Sequence, residues 1–197
     1  MDLRTELTYV REGMAALEDY LNADPIYWPL RPFSATLPAF SIGGLLESLR
    51  RLEALADRLS PEGREILRGA REGLEQARQR YAGRYAHKVE RELHSRLDTW
   101  AWFLEDYERG PEEGAASFPA QVHIRLKVEL LLEEAERLGL AVAPLRQRLQ
   151  GLDQTLRRHW TPGPFLWEEA LQAAFPQDRF WWLYGRPRGQ REEAEGW

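Results

Sequence analysis

His87, Glu90 and His94 are the residues of this sequence whose types and spacing come nearest to a metal site. Glu90 lies three residues after His87 and four before His94, so each pair would share one face of a helix. The two histidines are about 10.5 Å apart along a helix axis, which is too far for both to bind one ion directly. A bundle metal site that also uses His123 is one hypothesis, and surface histidines are the alternative.

A second candidate is an anion site at the predicted helix start Ser41-Ile42-Gly43-Gly44. The exposed N–H groups of a helix N-terminus attract a phosphate or carboxylate, and two glycines would let it approach closely. Arg31 is nearby in the sequence and would add a positive charge. The alternative interpretation is that Ser41 only caps the helix while the glycines permit close packing.

Aromatic clusters form the third candidate, because the chain holds eight tryptophans in 197 residues. A tryptophan ring buries a large apolar area while its N–H group needs a partner, so such clusters mark a core or a binding surface. We expect a proline-rich loop, the second half of a long helix and the C-terminal segment to meet in a pocket or docking surface. A second small core is the alternative. The predicted ligand-binding residues are Tyr27, Trp28, Arg31, Ser41, Trp100, Phe103 and Trp181.

The composition argues against several classes of function. The chain has no cysteine, which removes disulfides, thiolate catalysis and cysteine-bound zinc. It contains neither a G-x-S-x-G nor an H-E-x-x-H sequence, so no catalytic residues and no cofactor are predicted. The net charge is −5, and acidic residues alternate with a row of arginines on one helix face, which indicates a solvated face and not a nucleic-acid-binding surface. These arginines are Arg64, Arg68, Arg71 and Arg78.

Most of the elements that would position these residues are predicted to be helices. The longest covers residues 60–107, with Ser60 as its cap and Pro61 in its first turn. The spacing of its apolar residues changes after Tyr81, which together with Gly83 predicts a bend. Further helices are expected over residues 2–22, 41–59, 118–138 and 142–160, with short ones over about 165–174 and 179–184. A proline-rich loop over residues 22–40 and an acidic link over 110–116 separate them.

The expected fold is all-α: an antiparallel bundle of four or five main helices around one long, kinked helix, with short C-terminal helices. Residues 1–185 would form a single domain, and 186–197 a polar tail. No apolar run is long enough to span a membrane and no secretory signal is recognisable, so we expect a cytoplasmic protein. The low content of thermolabile residues points to a thermophile, and a high-GC genome is the alternative, because codon bias also favours Arg over Lys.

The function predicted first is non-enzymatic: a protein-interaction or scaffold module with a protein partner or a second copy in a homodimer. A small-ligand-binding protein or enzyme, with a pocket at the aromatic-rich end, is the first alternative, and the metal-binding bundle is the second. Neither a membrane nor nucleic acid is an expected partner. A scaffold requires an exposed apolar patch, whereas a ligand-binding protein requires a concave pocket on which polar side chains converge.

Overall fold

The computed structural model describes residues 2–30 and 37–189, and most of these residues are helical, which confirms the predicted helical class. The seven α-helices of these residues are α1 (Leu3–Ala15), α2 (Leu17–Asn22), α3 (Ile42–Ala54), α4 (Pro61–Arg80), α5 (Ala82–Arg109), α6 (Pro111–Arg137) and α7 (Ala143–Arg158). Short 3₁₀ helices cover Ala56–Arg58, Glu169–Ala174 and Trp181–Leu183. The strands β1 (Trp160–Phe165) and β2 (Tyr184–Pro187) form an antiparallel pair.

The long central stretch consists of two helices that meet at Tyr81. This residue has φ −117° and ψ 30°, outside helical geometry, so α4 ends before it and α5 begins after it. The two helices pack on different neighbours, α4 on α1 and α5 on α6. The change in apolar spacing therefore coincides with a change of partner. Gly83 lies exposed inside α5, two residues beyond the break.

The chain reverses between α5 and α6 at a single residue, Gly110. The acidic link predicted over residues 110–116 is wrong, because Pro111 suits the first helical position and acidic residues favour the positive end of a helix. Close packing of the two helices requires a small residue at position 114. A Cβ atom on Gly114 would lie 2.6 Å from Cδ2 of Tyr107 and 2.8 Å from its Cα.

The C-terminal segment is less helical than predicted. Pro162, Gly163 and Pro164 cannot sustain a helix, and the backbone pairs instead with β2, with Thr161 opposite Arg186. Residues 186 and 187, which were predicted to belong to the polar tail, are part of β2. The remaining tail residues, 190–197, lie outside the described residues. β2 lies near α6, and the hydroxyl of Tyr107 on α5 donates a 2.7 Å hydrogen bond to the carbonyl of Arg188.

The core contains many large aromatic rings. Trp100 and Trp182 are fully buried, at 0% and 1% exposure, while the side chain of Trp102 is 63% exposed. Within residues 2–30 and 37–189, no helix combines the length and the apolarity that crossing a bilayer demands. The first turn of α3 lies beside this core, against residues of α1 and α5.

Candidate functional site

The N-terminus of α3 is held by other parts of the protein. The side chain of Ser41 accepts a 3.1 Å hydrogen bond from the N–H of Gly44 and caps the helix. The N–H of Ser41 donates to the hydroxyl of Tyr9 at 3.3 Å, and the N–H of Gly43 donates to Oε2 of Glu92 at 2.9 Å. Glu92 is fully buried. The negative group at this helix start is therefore a carboxylate of the protein itself and not a bound external anion.

A cavity of about 600 Å³ opens beside this helix start, between α1, α3, α5 and α6. Four helices contribute charged or hydroxyl side chains to it, and the segment that precedes α3 closes one side. Its principal polar lining residues are Glu6, Tyr9, Ser41, Glu47, Ser48, Arg51, Arg96, His123 and Lys127. We call this cavity the polar pocket.

Two groups of ion pairs organise the polar pocket. On one side, Nε of Arg51 lies 2.7 Å from Oε1 of Glu6, and both side chains are almost completely buried. On the other, Nδ1 of His123 lies 2.5 Å from Oε1 of Glu47, whose second oxygen is 3.3 Å from Nζ of Lys127. Buried charges require such partners, because an unpaired ion in a protein interior is strongly unfavourable.

The two buried carboxylates titrate in opposite directions. Burial raises the pKa of Glu6 from 4.5 to about 7, and the charge of Arg51 offsets only part of this effect. Burial also favours the neutral form of Glu47, but the hydrogen bond from His123 and the positive charge of Lys127 outweigh it and lower its pKa to about 2. Glu6 can thus exchange a proton near neutral pH, while Glu47 remains a carboxylate.

Several donors in the polar pocket have no acceptor within the part of the chain that the structure describes. Arg51 is 8% exposed, and its only polar contact there is the one between Nε and Glu6. Its two Nη nitrogens make no hydrogen bond with a described residue. The hydroxyl of Tyr9 accepts a hydrogen bond, and its own proton has no described acceptor. The cavity therefore contains unpaired donors, which suits a ligand that carries oxygen acceptors.

Of the seven predicted ligand-binding residues, Tyr27 and Ser41 line the polar pocket. The ring of Tyr27 lies 4.8 Å from the guanidinium carbon of Arg96, and its hydroxyl lies 2.9 Å from Oγ of Ser95. The backbone of Trp28 forms an antiparallel bridge with that of Phe40. Arg31 lies outside the described residues.

The remaining three predicted residues lie away from this pocket. Trp100 and Phe103 stack in the core with ring centroids 5.1 Å apart. Trp181 packs edge-on against Trp160 at 5.2 Å, with the guanidinium of Arg157 3.7 Å from its ring centroid. The structure thus divides the aromatic residues between the core, the C-terminal segment and one wall of the polar pocket.

The predicted metal ligands are not brought together. His87, Glu90 and His94 are all on α5, whereas His123 lies on α6, paired with Glu47 and stacked on Trp167 at 5.1 Å. Residues 2–30 and 37–189 contain no group of three histidine or acidic side chains arranged to hold a metal ion. Within this part of the chain, the four residues therefore do not form the bundle metal site that was one hypothesis.

A second, larger cavity of about 840 Å³ lies between α3, α4 and α6. Its charges are mostly neutralised within the protein: both Nε and Nη2 of Arg78 bind Glu134, at 2.6 and 2.7 Å, and Nε of Arg71 lies 2.7 Å from Glu53. Bidentate pairing leaves a guanidinium little capacity for a ligand. We therefore regard this groove as structural and the smaller polar pocket as the candidate site.

The central residues of the polar pocket were missed by sequence reasoning. Glu47 and Arg51 are four residues apart on α3, a spacing that ordinarily indicates a solvent-exposed ion pair. The one available signal is the small residues beside them, since Gly43, Gly44 and Ser48 allow other helices to approach that face. Nothing in the sequence around Glu6 distinguishes it from a surface residue of an amphipathic helix.

The chain was compared with protein-family models, curated proteins and solved structures, and none of them matches it. Within the described residues, the fold is mostly helical, and charged side chains of both signs line the polar pocket between four helices.

Proposed function

We propose that this protein binds a small polar molecule in the polar pocket. The observation that carries the proposal is the convergence of charged side chains from four helices on one cavity, with Arg51 almost completely buried among them. Burying ions is costly, and such groups gather preferentially at functional sites. The predicted antiparallel bundle would provide the rigid frame that holds these side chains in place.

This proposal favours the ligand-binding alternative over the scaffold that the sequence suggested first. A scaffold would present a contiguous apolar surface. In the part of the chain that the structure describes, two large hydrophobic residues are exposed: Tyr27, at 36%, and Trp102, at 63%. Tyr27 forms a wall of the polar pocket, so it contributes to the proposed binding site.

The test is a thermal-shift screen of a metabolite library against the wild-type protein and three variants. Arg51→Met and Lys127→Met each remove one cation from the polar pocket. Arg78→Met is the matched control, because Arg78 is a similarly buried, ion-paired arginine of the other groove. A ligand of the pocket should raise the Tm of the wild type and of Arg78→Met, and raise it less in the two pocket variants. The proposal fails when no compound discriminates between the pocket variants and the control.

Self-association is a second candidate function, and the exposed ring of Trp102 favours it. Tryptophan is enriched among the residues that contribute most of the binding energy at protein interfaces. We expect the wild-type mass measured by light scattering to exceed that of a monomer and to fall to the monomer value in Trp102→Ser. A monomeric wild type would contradict this candidate.

A further inference from the structure

Arg51 is the least satisfied charged group of the polar pocket. A guanidinium carries five N–H donors, and an unmet buried donor costs free energy. The guanidinium of Arg51 lies 5.2 Å from the ring centroid of Trp167 and contacts Oε1 of Glu6 through Nε. No described residue accepts a hydrogen bond from its Nη edge, although the side chain is only 10% exposed. Arg51 lines the polar pocket, so the wall of this cavity contains a buried cation with unpaired N–H donors.

The charges around the polar pocket balance only while Glu6 is ionised. Three carboxylates, of Glu6, Glu47 and Glu92, face three cationic side chains there, those of Arg51, Arg96 and Lys127. His123 is the remaining titratable side chain near Glu47. Once Glu6 accepts a proton, the six groups carry a net charge of +1, and Arg51 has lost its nearest counter-ion.

We propose that the polar pocket binds a small oxyanion, a carboxylate or phosphate group, on the Nη edge of Arg51, and that Glu6 takes up a proton from water as the anion binds. This inference rests on the proposed function and specifies the ligand's chemical class. The planar fork of an arginine matches the oxygen spacing of both groups. Lys127 and the hydroxyl groups of Tyr9 and Ser48 line the same cavity and can donate to the remaining oxygens.

Proton uptake follows from the surroundings of Glu6. α3 contributes Arg51 and Glu47 to its electrostatic environment, and Arg96 of α5 and Lys127 of α6 line the same cavity. Burial has already raised the pKa of Glu6 to about 7. An anion bound to Arg51 would repel the Glu6 carboxylate and partly replace it as the counter-ion, which raises this pKa further. Anion affinity should therefore be higher below the pKa of Glu6 in the free protein and lower above it.

The first experiment compares anions with neutral molecules of the same shape. Propionate and propionamide form one pair, and sulfate and dimethyl sulfone form the other. Each compound is titrated into the protein at constant ionic strength and followed by NMR. We expect both anions to bind and both neutral molecules to bind weakly or not at all. Arg51→Met should weaken anion binding by about ten- to a hundredfold, as expected for the loss of hydrogen bonds to a charged group. Arg78→Met should bind as the wild type does.

The second experiment tests whether Glu6 takes up a proton when an anion binds. Propionate and sulfate stay ionised across the neutral range, so a change of affinity with pH reports on the protein. We expect affinity to fall by about tenfold from about pH 6 to about pH 8, and calorimetry in two buffers to show proton uptake. Glu6→Gln is neutral at every pH, so it should bind the anions without this pH dependence and without proton uptake.

The outcomes separate this inference from the proposed function. If library compounds bind in an Arg51-dependent way but propionate and sulfate do not, or if the neutral molecules bind equally well, the pocket remains a binding site and the oxyanion inference is overturned. Anion binding that is independent of pH overturns the role of Glu6. If neither the anions nor any library compound distinguishes Arg51→Met from Arg78→Met, both proposals fail.

Discussion

Glu92 of α5 and Gly43 of α3 are joined by a 2.9 Å hydrogen bond from the Gly43 N–H to the Glu92 carboxylate. The other oxygen of Glu92 lies 3.2 Å from Nε of Arg96, so one buried carboxylate connects a helix start to a cation of the polar pocket. A negative charge at this position also complements the positive end of the α3 dipole. The wall of the pocket between α3 and α5 therefore depends on Glu92.

We predict that Glu92→Gln lowers the free energy of unfolding by about 2 kcal/mol, since it leaves Arg96 without its charged partner in a largely buried position. Urea denaturation at neutral pH measures the change. Glu90→Gln is the control, because Glu90 is exposed two residues away on the same helix, and it should differ from the wild type by no more than about 0.5 kcal/mol. Equal losses in the two variants would refute the structural role of Glu92.

Glu6 should make the protein less stable as the pH rises. Its pKa is raised from 4.5 to about 7, so its contribution is fully present below pH 4.5 and is lost as the pH passes through 7. The loss amounts to about 3 kcal/mol by pH 8. Glu6→Gln should lack this slope and gain stability relative to the wild type between about pH 5 and about pH 8, measured by urea denaturation. Parallel pH profiles for the two proteins would contradict the prediction.

Glu47 should have the opposite effect on the pH dependence of stability. Despite its burial, the hydrogen bond from His123 and the charge of Lys127 hold its pKa at about 2, so its contribution is present above 4.5 and is lost as the pH falls towards 2. Glu47→Gln should be about 2 to 3 kcal/mol less stable than the wild type at neutral pH, and the difference should shrink in acid. Chemical denaturation across the acidic range tests this, and a difference that stays constant with pH would rule it out.

Two glycine substitutions should have opposite effects. A Cβ atom added to Gly83, inside α5, would meet no neighbouring group within 4 Å, so Gly83→Ala should stabilise the protein by about 0.5 to 1 kcal/mol. Gly114→Ala would instead place a methyl group 2.6 Å from the Tyr107 ring and should destabilise it by about 1 to 3 kcal/mol. Thermal unfolding of both variants provides the comparison. Stabilisation of Gly114→Ala would show that α5 and α6 are packed less closely than described.

Three of the helix starts could be predicted from the sequence because their causes are local. Asp2, Ser41 and Ser60 each cap the helix that follows, with the side chain accepting a hydrogen bond from a backbone N–H three residues on. The break near Tyr81 also has a signal within the stretch itself, namely the change of apolar spacing. Each of these features is determined by residues that lie a few positions apart in the sequence.

The polar pocket could not be predicted, because helices that are distant in the sequence bring its residues together and bury them. Glu6 and Arg51 look like ordinary surface charges until α1 packs on α3 and buries both. The strand pair was missed for the same reason, since β1 is stabilised by β2, which follows it after an intervening segment. The aromatic residues were recognised as important, but Trp100 and Phe103 lie in the core while Tyr27 lines the pocket.

The single-residue reversal at Gly110 has a consequence for the order of folding. α5 and α6 are adjacent in sequence and make the most extensive helix pairing, so this hairpin can form with little loss of chain entropy. Glu6 and Lys127, in contrast, come to the polar pocket from opposite halves of the chain. We expect the hairpin to form early and the pocket to be completed only when α1 docks. A bound ligand would then distinguish the fully folded protein from every partly folded form.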